Sequence, residues 1–171
     1  MKLGEVLTVI SIVVGIVSLV SFLQLSFNVE LKDIFREVIN YYRVIANHTI
    51  GLPAKIIGIE LPQKLLDFWS LSFVGAGAYC RVPKIDQSRA LRNSSFTSIR
   101  HWRVILFFIM GICGFGLVIF MWAFSPSIYV DDFWEEKQDL SRASAFNALI
   151  IVLGSVLYFV LNAFFPYIWG A

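Results

Sequence analysis

The chain alternates long apolar runs with short polar segments. Three runs carry no charged residue: 6–29, 104–130 and 143–171. A helix rises ~1.5 Å per residue, so about 20 apolar residues cross a ~30 Å hydrocarbon layer, and each run is long enough to do so. A shorter fourth run, Leu65 to Cys80, is interrupted only by Asp67. The pattern predicts an all-α, polytopic integral membrane protein: one transmembrane domain over 1–171, with four transmembrane helices at about 5–27, 64–81, 103–125 and 145–168. The first run exceeds the ~7–15 residues of a secretory h-region, and no small-x-small site follows Leu25-Ser26-Phe27-Asn28, so it is expected to stay as an uncleaved anchor.

Between the first two runs the period changes. Leu31, Ile34, Phe35, Val38, Tyr42 and Ile45 recur at helical spacing, with Lys32, Asp33, Arg36, Glu37, Asn40 and Arg43 opposite. This predicts an amphipathic helix over about 29–47, lying along a membrane surface or against a neighbouring subunit. Pro53 and Pro62 prevent it from continuing into the second span. That span is the shortest, and a re-entrant element is the alternative. Non-helical backbone at membrane depth needs protein or water to cover it, so that alternative calls for an oligomer or a cavity.

Composition points the same way. Hydrophobic residues make up 58% and charged residues 15% of the chain, against about 45–50% and 25% in ordinary soluble domains. Mean hydropathy is +0.74. The bases crowd into the 82–102 loop and its flanks, as Arg81, Lys84, Arg89, Arg92, Arg100 and Arg103; the 126–144 loop carries Asp131, Asp132, Glu135, Glu136 and Asp139. By the positive-inside rule the basic loop is cytoplasmic and the acidic loop outward, which with four spans leaves both termini cytoplasmic. Trp102, Trp122, Tyr129, Tyr167 and Trp169 fall near expected span ends, as interfacial aromatics do. A bacterial inner membrane is the expected location.

Candidate chemistry is sparse. His48 and His101 lie at or beyond span ends, Cys80 and Cys113 have no ligand-spaced partner and are expected to be buried free thiols, and no nucleotide, zinc-protease or nucleophile motif is present. No metal, cofactor or catalytic residue is assigned, and no enzyme activity is expected. In the fourth span Asn147, Ser155, Tyr158 and Asn162 fall near one face with Gly154 beside them. Lipid offers such groups no partner, so the stripe is expected to glue helices together or to line a hydrated path. Asp67, the only acid inside a span, is expected near the outer interface, paired with Lys64 or facing a pore mouth or neighbouring subunit. Small residues suited to close helix packing are Ser11, Gly15 and Ser18 in the first span, Gly75 and Gly77 in the second, and Gly111 and Gly114 in the third.

Four helices have little interior of their own, which favours a symmetric homo-oligomer. The basic residues suit anionic lipid or an acidic soluble protein in the cytoplasm; nucleic acid is not an expected partner, because the loop has no interleaved aromatics. In size and hydropathy, though through no motif, the chain resembles the small membrane subunits of bacterial anti-phage systems such as the Kiwa type. That resemblance implies a soluble effector partner and a sensing or membrane-damaging role. The functional expectation is a non-enzymatic subunit of an oligomeric membrane complex; the alternative is a homo-oligomeric channel or pore lined by the fourth helix.

Overall fold

Helix α1, Leu3–Phe27, turns its apolar residues outward and its small polar residues inward. Val9 and Val13 are 51% and 54% exposed, while Thr8, Ser11, Ser18 and Ser21 are buried. Water would favour the reverse arrangement; hydrocarbon favours this one, because only the protein side can supply hydrogen-bond partners. The long C-terminal helix behaves alike: Val152, Leu153, Val156 and Leu157 are exposed and Ser144, Asn147, Ser155 and Asn162 buried. These two helices, α1 and the Lys137–Phe164 stretch, are long and apolar enough to cross a membrane.

The computed structural model describes residues 3–56, 58–82, 91, 94–124 and 134–169, and every regular element among them is helical. After α1 come α2 (Asp33–Ala46), a wide π turn (Asn47–Gly51), and α3 (Leu52–Ile56). Two short helices, α4 (Gln63–Ser70) and α5 (Ser72–Arg81), meet at Leu71. A 3₁₀ turn (Ser95–Ser98), α6 (Trp102–Ile112), α7 (Phe115–Ala123) and α8 (Trp134–Trp169) complete the order.

Helix α5 is the axis of the bundle. Every residue from Ser72 to Ala78 is buried, and α1, α6, α7 and α8 all pack on it. Its low hydropathy follows from this position, because it meets protein on every side and its glycines and alanines let neighbours approach. The tightest approach joins Gly75 to Gly116 of α7, where a methyl on Gly75 would overlap the Gly116 carbonyl.

The third apolar run departs from its expected form. Helices α6 and α7 are bent by 93° instead of forming one straight span. Gly114 sits at the bend with φ +79°, a left-handed conformation open to glycine. The Trp69 indole seals one side of it, donating from Nε1 to the Ile112 carbonyl at 3.0 Å. Both arms straddle α5: the Cys80 thiol lies 3.5 Å from the Arg103 carbonyl, the Ser72 hydroxyl bonds the Met110 carbonyl at 2.9 Å, and Ala123 clusters with Ala78, Val82 and Trp102. The run therefore descends along α5 and returns to the level from which it started.

The return relocates the last helix. Helix α8 begins at Trp134, not at 145, and absorbs part of the expected outward loop. Its first turns lie at the end of the bundle where α1 begins and α5 finishes, here the basal end: Leu140 clusters with Val82 and Ala123, and the Arg81 guanidinium lies over the Phe146 ring at 5.2 Å. Further on, Gly15 meets Ile151, Gly154 meets Ile16, and the Asn162 side chain reaches the backbone of Glu30. Helices α1 and α8 thus run parallel. Leu3 and Phe164 lie at opposite ends of the bundle, where four straight spans would bring the two ends of the chain together, and residues 134–144 share the basal end with Arg81.

The amphipathic helix forms over Asp33–Ala46, inside the expected 29–47, and crosses the opposite end of the bundle as a strap. Phe35 meets Tyr158 of α8 edge-on at 5.1 Å, Ile39 clusters with Val20 of α1, and the helix ends beside α4. Its start has no side-chain cap of its own. Instead the Lys32 N–H donates to Asn162 Oδ1 at 2.8 Å, so α8 caps the strap.

Candidate functional site

The strongest convergence of polar groups surrounds Asp67. Pro62 starts α4, and Gln63 and Asp67 stand one turn apart, so Gln63 Nε2 donates to Asp67 Oδ1 at 2.8 Å. From α1, Ser18 and Ser21 occupy one face at i, i+3. The Ser18 hydroxyl donates to the Asp67 backbone carbonyl, and Ser21 Oγ donates to Asp67 Oδ2 at 2.8 Å. From the strap, Arg43 Nε donates to Ser21 Oγ at 2.9 Å, and its terminal nitrogen donates to Gln24 Oε1. Asn47 Nδ2 closes the circuit, donating to the Arg43 carbonyl and to Gln63 Oε1, each at 3.0 Å.

The result is a ring of bonds, Arg43–Ser21–Asp67–Gln63–Asn47, that fastens α1, α4 and the strap together. Asp67 is 0% exposed. An isolated carboxylate there would be strongly disfavoured; the Arg43 charge, one hydroxyl away, compensates it. Both carboxylate oxygens already accept bonds and neither faces solvent, so the geometry is that of a clamp and not of a general base open to substrate. The Tyr42 hydroxyl is buried close to Ser18, Ser70 and Asp67. Burial pushes its phenol above the ordinary range and keeps it protonated. Lys64, the partner expected for Asp67, is exposed and outside the ring, and Asp67 itself is buried among α1, α4 and the strap.

The α8 stripe faces its own chain. Asn162 is held at both ends of its amide, accepting from Lys32 and donating to the Glu30 carbonyl at 3.1 Å, and the Tyr158 hydroxyl donates to the Phe35 carbonyl at 2.6 Å. Asn147 Nδ2 lies 3.5 Å from the Val74 carbonyl; its Oδ1, with the hydroxyls of Ser144 and Ser155, is buried without a partner among the described residues. The stripe therefore binds α8 to the strap at one end and to α5 at mid-length.

The small residues singled out from the sequence fall at several different contacts. Ser11 meets Gly77, Gly15 meets Val74 and Ile151, Gly75 meets Gly116, and Gly111 lies under the Phe73 ring. Ser18 belongs to the Asp67 ring, and Gly114 forms the bend. Cys80 is buried, but Cys113 is exposed, contrary to expectation, because it stands at the outer side of that bend. Of the basic residues, Arg81, Arg100 and Arg103 fall among the described residues, while Lys84, Arg89 and Arg92 lie outside them. Arg81 joins Arg142, Asp139, Ala143, Phe146 and Val82 around a cavity of about 350 Å³ at the basal end. Among the described residues no cluster of three His, Cys, Asp or Glu could hold a metal ion.

Sequence reasoning missed Ser21, Gln24, Arg43, Asn47 and Gln63. Ser21 carried a signal, since it extends the Ser11–Gly15–Ser18 face by one more step. Arg43 carried none, because it sits on the polar face of an amphipathic helix where a solvated base is the ordinary outcome. No protein-family model, curated protein or solved structure matches this chain.

Proposed function

We propose that this protein is a non-enzymatic subunit of an oligomeric membrane complex, held in the bilayer by α1 and α8 and presenting a basic cytoplasmic surface to a soluble partner. The observation that carries this reading is the division of its polar groups. Asp67, Ser21, Arg43, Tyr158 and Asn162 are spent on holding the chain to itself, in the Asp67 ring and along the α8 stripe. The bases Arg81, Arg100, Arg103 and Arg142 gather at the basal end. Lys84, Arg89 and Arg92 belong to the loop that joins Arg81 to Arg103. The positive-inside rule counts Lys and Arg and gives acids little weight, so the basal end is assigned to the cytoplasm despite the neighbouring acids. The N-terminal end of α1 is then cytoplasmic, α4–α5 returns, α6–α7 dips in and out, and the C-terminal end of α8 faces outward.

A pore lined by α8 needs Asn147, Ser155, Tyr158 and Asn162 where several chains meet. They are turned instead toward α1, α5 and the strap of their own chain, which favours the scaffold over the channel. In the anti-phage setting suggested by size and hydropathy, the partner is a soluble effector. Affinity purification of the native complex tests the reading. A soluble acidic protein retained by the parent is expected to be lost when Arg89, Arg92 and Arg100 are replaced by glutamine, with membrane insertion unchanged. Recovery of the chain without any soluble partner, or equal retention by the triple variant, removes the reading.

A further inference from the structure

The strap α2 has more apolar surface than the bundle uses. At ~100° per residue, Phe35, Ile39, Tyr42 and Ala46 form one flank, which is buried or half-buried against the bundle. Ile34, Val38, Tyr41 and Ile45 form a second flank beside it, and all four are exposed, Tyr41 at 71% and Ile45 at 61%. Arg36, Glu37, Asn40 and Arg43, with Val44 among them, occupy the remaining sector. A helix that only covers the end of its bundle needs one apolar flank, and a second would then lie in water.

The depth of the strap determines what the second flank meets. Ile39 packs on Val20 of α1 with Ile16 and Val17 beside them, and Arg43 reaches Ser21 and Gln24. Helix α1 continues to Phe27, so the strap lies beside its apolar body, ~10 Å short of its end. The 25 residues of α1 measure ~37 Å against a ~30 Å hydrocarbon core. For a centred helix the contact then falls about 6 Å inside the boundary, within the ~5–10 Å range of interfacial amphipathic helices.

Neither of the longer segments outside the described residues is long enough to reach this flank. Segments 83–90 and 125–133 are joined at both ends to the basal end, through Val82, Leu91, Ala123 and the start of α8. Nine residues, out and back, extend ~17 Å. Val20 stands ~24 Å along α1 from Gly4, which packs beside Arg81. At the other end, α8 runs past the strap's first turn, where Asn162 meets Lys32, and Tyr41 lies ~13 Å further along the strap.

We infer that the second flank of the strap is seated in the acyl layer of the outward leaflet, so that its partner is a lipid surface and α2 is wedged between bundle, hydrocarbon and headgroups. The inference rests on α1 crossing the bilayer, as proposed above, and needs no second subunit. The same rotation of the helix sets Arg43 at the border between bundle and polar sector, from which it reaches Ser21.

The test uses the full chain with Cys113→Ser, whose remaining thiol, Cys80, is buried, in vesicles of phosphatidylethanolamine and phosphatidylglycerol. Nitroxides are attached singly at Tyr41→Cys, Ile45→Cys, Asn40→Cys and Val13→Cys, all exposed positions where a label displaces no bundle contact. Power-saturation EPR compares access by oxygen, which concentrates in hydrocarbon, with access by a water-soluble nickel chelate. Positions 41 and 45 are expected to match Val13, with oxygen access several-fold above nickel access, and position 40 to show the reverse. Nickel access at 41 or 45 equal to that at 40 places the flank in water and overturns the inference. Shielding of 41 or 45 from both reagents means that protein covers the flank and overturns it too, as does a lipid-like position 40. In each of these cases a lipid-like Val13 leaves the membrane reading standing; nickel access at Val13 removes both.

Discussion

Removing Arg43 tests whether the Asp67 ring is a clamp. In Arg43→Met the Ser21 hydroxyl loses its 2.9 Å donor and the Asp67 carboxylate loses the only cation in the ring. Breaking a buried ion pair by deleting one partner costs ~3–5 kcal/mol. Arg43 is only half-buried, and Ser21 and Gln63 continue to donate to the carboxylate, so about 2 kcal/mol is the appropriate expectation. For a chain of this size that corresponds to a fall in Tm of roughly 4–8 °C. Cys80 provides the assay: it is buried, and Cys113→Ser leaves it as the sole thiol, so a thiol-reactive dye reports unfolding in detergent. Charge compensation makes a sharper demand. In an Asp67→Asn background, which leaves no carboxylate to compensate, the same Arg43→Met substitution should cost less by at least ~1 kcal/mol. Equal costs in the two backgrounds, or an Arg43→Met protein that melts with the parent, would refute the ion-pair account.

Two further predictions address the fold. Gly75→Ala places a methyl against the Gly116 carbonyl, backbone that cannot yield as a side-chain tip can, whereas Gly154→Ala meets the terminal methyl of Ile16. The first should cost over ~2 kcal/mol and the second about 1 kcal/mol or less, measured by the same dye; the reverse order would deny the α5–α7 contact. For chain direction, single cysteines at Ser94 and Ser141 in a chain lacking Cys113 should react with a membrane-impermeant maleimide from the same side of sealed vesicles. Labelling from opposite sides would contradict the parallel arrangement of α1 and α8.

The amphipathic strap shows how pattern and packing divide the information. Its existence is legible in the period of Leu31, Ile34, Phe35, Val38, Tyr42 and Ile45, because one helix face must be apolar wherever it is placed. Its destination is not. Nothing local says that Arg43 leaves water to reach Ser21, or that Asn162, far along the chain, caps Lys32. The same holds for Asp67: a carboxylate within an apolar run is visible at once, but whether it is interfacial or buried depends on who stands beside it.

Composition and period alone establish that the chain is helical and predominantly apolar, where its charges concentrate, and which small residues permit close packing. These properties are set by transfer from water to hydrocarbon and by the need to satisfy backbone hydrogen bonds within the helix. The direction of α8 and the partners of the polar stripe emerge only once the helices are packed together. Hydropathy measures length of apolar chain, and α6–α7 together have enough of it to cross; the 93° bend between them depends on one left-handed glycine, a tryptophan cap and the room beside α5. Because α8 follows that bend, a local conformational choice set the end of the bundle at which the last helix starts.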